Sequence, residues 1–155
     1  MAGTVDARLS KLGITLPEAA APVANYVGYV KTGNLVFVSG QITLKDGKPM
    51  YLGKLGAEIS LEDGQNAAKL CAINIVAQLK AACGGDLDRV RRIVKLGGFV
   101  NSTPDFTDQP KVINGASDLM VEIFGDKGRH ARAAVSAGSL PLGIAVEIDA
   151  VAEIE

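Results

Sequence analysis

Two charged residues in the last third of the chain, Arg132 and Glu147, stand in the otherwise apolar stretches "RAAVSAGSLPLG" and "IAVEIDAVAEI". A guanidinium holds a carboxylate by two parallel charge-assisted hydrogen bonds, a planar match that an ammonium does not reproduce. A carboxylate on the non-core face of a strand can orient or deprotonate a water that lies within roughly 3 Å of it. Burial would raise the pKa of Glu147, and a nearby arginine would lower it. The pair suits a pocket that fixes a small acid anion opposite a water-activating group. The competing reading is a solvated sheet face, because exposed charge pairs are common.

The remaining titratable residues narrow the chemistry. The chain has one histidine, His130, which argues against His-rich metal sites and two-histidine acid and base catalysis; it reads as a loop residue before a strand. Cys71 and Cys83 fall in one helical segment and at its end, where thiols act as small buried hydrophobes more often than as a disulfide or metal pair. Sixteen Lys and Arg against seventeen Asp and Glu leave a net charge of -1, with no long-range pull toward nucleic acid or anionic membranes. No apolar run of about 18 residues is present to span a bilayer, and the N-terminus lacks the order of a secretion signal. A cytoplasmic location is expected.

The elements that must position these residues follow from periodicity and punctuation. At 155 residues and 48% hydrophobic, the chain suits a single domain over 1–155, with residues 1–21 as a short helix and linker. Val5, Leu9 and Leu12 share a face of a helix over 4–16 that Gly13 can end. "YVKTGNLVFVSGQI" reads as a hairpin turning at Thr32, Gly33 and Asn34, and Asp46-Gly47 is a tight-turn signal whose second arm Pro49 demotes to an edge strand or loop. Ser60 followed by Asp63 opens a helix, and Gly84-Gly85 closes it. "RRIVKLGGFVNS" reads as a strand whose two glycines admit another backbone closely. Residues 107–124 carry the apolar spacing of a sheet-packed helix capped by Gly125. Two last strands joined by Leu140-Pro141-Leu142-Gly143 are expected to be neighbours in the sheet, with Glu147 and Asp149 on the outer face of the second. The result is an α+β fold, a mixed sheet with two long helices on one face. Its other face, also rich in Val, Ile, Phe and Ala, calls for burial between copies of the chain.

The "SGQI" after the hairpin, the series R-x7-L-P-x5-E-I (Arg132, Leu140, Pro141, Glu147, Ile148) and Tyr26, eight positions before Asn34, together resemble the RidA family, also called YjgF or L-PSP. The match covers about residues 22–155 and points to a longer-chain subgroup. The resemblance implies a chorismate-mutase-like fold assembled as a homotrimer, its sheets forming a central barrel with clefts between subunits. It implies hydrolysis of reactive enamines or imines of 2-amino acids, such as 2-aminoacrylate, to 2-keto acids and ammonium, without metal or organic cofactor. Carried over residue by residue, Arg132 anchors the substrate carboxylate and Glu147 activates water. Tyr26, Ser39 and Gly40 line the cleft. Two positions depart from the family pattern. Its archetypal cysteine is Ala134 here, leaving a backbone N–H for the ligand. The cleft asparagine on the second long helix falls on Ser117 or Asn114; by helical angle Ser117 borders the apolar stripe and Asn114 points away.

Two other functions compete with the deaminase. One is a non-catalytic trimer binding small carboxylate metabolites, in which Arg132 matters and Glu147 does not. The other is ribonuclease activity, a label the family carries; its one basic cluster, "RVRRIVK", lacks interleaved aromatics and reads as a charged strand edge.

Overall fold

A computed structural model describes residues 3–21 and 24–155. Along the chain run α1 (Thr4–Lys11), β1 (Tyr29–Thr32), β2 (Leu35–Gln41), the two-residue strands β3 (Leu44–Lys45) and β4 (Lys48–Pro49), α2 (Leu61–Ala82), β5 (Val90–Asn101), α3 (Gln109–Phe124), β6 (Ala131–Ala137) and β7 (Val146–Ile154). The local punctuation acts as the residues dictate. Ser60 Oγ accepts from the Asp63 N–H at 3.1 Å and caps α2. Gly125, at φ 65°, ends α3, and Asp46 and Gly47, both at positive φ, make the β3–β4 turn.

The main sheet has the order β1-β2-β7-β5-β6, antiparallel except for the parallel β5–β6 pair. This corrects the expected neighbourhood of the last two strands: β5 lies between β6 and β7. Gly97 and Gly98 of β5 are also approached by side chains and not by a backbone, Asp149 on one face and Ile113 of α3 on the other.

Both long helices cover one face, α2 across β2 and β7 and α3 across β5 and β6. Val36, Val38, Ile75, Leu79, Ile93, Leu96, Ile113, Met120 and Ile148 are buried between them. On the opposite face Phe37 (45% exposed), Val30 (51%) and Val135 (48%) remain in contact with solvent. A patch of this kind on one sheet face is what an interface requires. Cys71 and Cys83 are free and buried. Burial, then the charge of Glu147, pushes the Cys71 thiol far above its ordinary pKa.

Candidate functional site

Arg132 and Glu147 lie on different strands and on different faces. Arg132 pairs with Leu96, a core residue, so its side chain leaves β6 on the helix side. There its Nη1 donates to Asn114 Oδ1 at 2.7 Å and to Ser117 Oγ at 3.1 Å. Asn114 therefore does not point away from the site: it and Ser117, almost one helical turn apart, hold the same guanidinium nitrogen. Both Nη1 hydrogens are taken, while Nε–H and the two Nη2 hydrogens have no acceptor among the described residues. That free edge has the fork geometry that accepts a carboxylate. Ala134, two residues on, is half-buried against the core.

Glu147 occupies the outer face of β7 between buried Val146 and Ile148, opposite Phe99 of β5. Its carboxylate sits over Gly40, where any side-chain carbon would collide with it; Gly40 falls where the β2–β7 register slips between Val38 and Gln41. Burial first, and the charge of Asp149 second, raise the Glu147 pKa, and no cation or hydrogen bond among the described residues opposes them. Ser39 beside it donates its hydroxyl proton to Val27 O at 2.6 Å, and its N–H to Gly28 O at 2.9 Å. These bonds lay the segment after Tyr26 along β2. Tyr26 is exposed in the bend before β1.

The expected site residues thus form two groups. Arg132, Asn114, Ser117 and Ala134 cluster where β6 meets α3; Ser39, Gly40 and Glu147 gather around β2 and β7, with Tyr26 in the exposed bend that precedes β1. Strands β6 and β7 are two spacings apart, about 10 Å, and the key side chains emerge on opposite faces. No small acid touches both within one chain.

His130 joins the first group. Its Nε2 is 2.9 Å from Ser117 Oγ and its Nδ1 is 2.6 Å from Gly128 O. A lone histidine before a strand gives no sign in the sequence of a partner 13 residues back on a helix. Among the described residues, no cluster of three His, Cys, Asp or Glu side chains is placed to hold a metal, and no helix is long and apolar enough to cross a membrane. Two surface grooves of about 450 and 440 Å³ lie elsewhere, at Arg8 and Phe124 and at Arg91 and Arg92. In the second, Arg91, Arg92 and Lys127 stand with Asp126 and Glu153 and no aromatic ring. Arg91 and Arg92 do lie on an unpaired edge, because β6 reaches along β5 only to Lys95.

Residues 6–154 match the family model described as "YjgF/chorismate_mutase-like, putative endoribonuclease". The chain belongs to the YjgF/RidA family. The match takes in most of α1 as well as the region from residue 22 onward. Protein TCP17 of Trypanosoma cruzi is 53% identical over 98% of this chain and 95% of its own. Among solved structures, Atu1372 of Agrobacterium tumefaciens, a protein of unknown function, superposes with a TM-score of 0.92 at 50% identity, over 97% of this chain and 92% of its own. A Shewanella oneidensis protein called a "putative endoribonuclease" does so at 0.94 and 39% identity, over 98% and 100%. The fold is thus the chorismate-mutase-like α+β fold of this family.

Proposed function

We propose that the protein hydrolyses enamines and imines of small 2-amino acids, in clefts built where copies of the chain meet in a homotrimer. The observation that carries this is the division of the site. Arg132 presents a free guanidinium edge on one side of the sheet, and Glu147 presents a carboxylate of raised pKa on the other. Two copies bring the groups together; one does not. The exposed Val30, Phe37 and Val135 supply the apolar face for such packing.

In the assembled cleft the substrate carboxylate takes the Nε–H and Nη2–H edge of Arg132, which fixes the position of the imine carbon. An enamine first takes a solvent proton on its terminal carbon to become the imine. Glu147 accepts a proton from a water as the water oxygen bonds to the imine carbon and the C=N pair moves to nitrogen, and it returns that proton to the nitrogen to give the neutral carbinolamine. With the nitrogen protonated again from solvent, Glu147 takes the hydroxyl proton, the C–O bond becomes the carbonyl of a 2-keto acid, and the C–N bond breaks with its electron pair leaving on ammonia; the proton on Glu147 passes back to solvent. A carboxylate whose pKa is raised is a stronger base toward that water than an ordinary surface glutamate. The Ala134 side chain takes no part, and its backbone N–H remains for the ligand.

The test is ammonium release when the protein is added to a dehydratase that generates 2-aminoacrylate. Acceleration over buffer that disappears in Arg132→Ala and falls strongly in Glu147→Gln supports the reading. Absence of acceleration in the wild type overturns it; pyruvate binding that is indifferent to Glu147→Gln would then leave a carboxylate-binding module.

A further inference from the structure

His130 is the only histidine of the chain, half-buried between the 3-10 turn Gly125–Gly128 and β6. Its two ring nitrogens have different neighbours, and the difference fixes the protons. A carbonyl oxygen only accepts, so the 2.6 Å contact with Gly128 O requires hydrogen on Nδ1. In the neutral ring Nε2 then carries a lone pair, and at 2.9 Å it accepts the single hydroxyl proton of Ser117. With that proton committed, Ser117 Oγ turns its lone pairs to Arg132 Nη1, which only donates. Every donor in the series Arg132, Ser117, His130 therefore points the same way, toward Gly128.

The far end of the series is packed against α3. A side-chain carbon at Gly128 would collide with the backbone of Met120 and Val121. The turn is thus seated directly on α3, the helix that carries Ser117, and the carbonyl that sets the tautomer is held in register with the hydroxyl it controls.

The geometry points to His130 as a positioning residue for Arg132. By holding the Nδ1–H tautomer it keeps Ser117 an acceptor toward the guanidinium, and so fixes which edge of Arg132 is offered to a substrate carboxylate. The role rests on the reading of Arg132 as the carboxylate anchor. Without an acceptor behind it, the Ser117 proton is free to rotate toward Nη1, setting donor against donor and loosening one of the two bonds that orient the planar group.

Two measurements on the full chain separate this inference from the reading beneath it. Nitrogen-15 NMR of the one histidine ring, ligand-free and at a pH where the ring is neutral, is expected to show hydrogen on Nδ1, with the Nε2 resonance moving in Ser117→Ala. An Nε2–H ring in the wild type overturns the inference whatever the ligand does. In calorimetric titration with pyruvate, His130→Leu is expected to weaken binding about tenfold. His130→Gln, whose amide oxygen can accept from Ser117, is expected to restore most of it. The double variant Ser117→Ala, His130→Leu should bind no more weakly than Ser117→Ala alone. Additive losses, or His130→Leu binding like wild type, overturn the role. No pyruvate binding by the wild type, or binding unchanged in Arg132→Ala, overturns the anchor reading instead, and the ring measurement still decides the tautomer.

Discussion

Truncating Arg132 to alanine removes three free N–H donors and leaves Asn114 and Ser117 facing each other without the cation they share. An anchoring charge of this kind is worth about 2–5 kcal/mol to the complex, so pyruvate binding by Arg132→Ala should fall below detection in calorimetry. Arg132→Lys should not rescue it, because an ammonium cannot occupy both acceptors on α3 and still present a planar fork. Glu147 behaves in the opposite sense for the fold. Its pKa is raised in the folded chain, so folding favours the protonated form. Its contribution to stability is present below the unfolded pKa, is lost as pH rises through the folded value, and above that the ionised group is a liability. Glu147→Gln should therefore resist urea better than wild type at pH 8 and equally at pH 3, while ammonium release falls about 10²–10⁴-fold. A mutant no more stable than wild type at pH 8 would contradict the burial of that carboxylate.

At the scale of elements, two glycines distinguish packing from positioning. A side chain at Gly115 of α3 would strike the Gln65 backbone of α2, and overfilling of this kind costs about 1–3 kcal/mol; Gly115→Ala should lower the melting temperature. At Gly40 the obstructing atoms belong to the movable end of Glu147. Gly40→Ala should melt nearly as wild type yet lose activity, roughly a hundredfold if the carboxylate shifts by about an ångström. The elements themselves were readable in the residues. Ser60, Gly125 and Asp46-Gly47 act where their chemistry requires, and alternation along β7 correctly put Glu147 outside the core. Strand order was not readable. Alternation reports which face a residue takes and not which strand lies alongside, so the short link Leu140–Gly143 suggested a neighbour where β5 intervenes. The face of Arg132 was equally hidden, because "ARAAVSA" is small or apolar on both sides and carries no parity. The bond that Arg132 donates to Asn114 escaped the helical-angle argument because a long guanidinium crosses the angle that separates two positions on α3.

For the molecule as a whole, the face bearing Val30, Phe37 and Val135 is the largest question the fold poses to solvent. Phe37 pairs with Val151 on one side and Val30 on the other, so a charge there interrupts the apolar strip at its middle. Phe37→Glu should sediment as a smaller species than wild type, keep its helical circular dichroism, and lose ammonium release in proportion to the loss of assembly. A variant that stays small and fully active would place the whole site within one chain, against the separation of Arg132 and Glu147.

The sheet order has another consequence, for how the chain is made. The centre of the main sheet is β7, the last in sequence of the strands among the described residues, and it joins β1-β2 to β5-β6. During synthesis neither half can complete its pairing until residues 146–154 have left the ribosome, because the inner edges of β2 and β5 both pair with β7. In nascent chains held on the ribosome by an added C-terminal linker, those whose linker is too short to bring residues 146–154 out of the tunnel should be cut readily by protease, and those with a linker long enough to expose them should become resistant in one step.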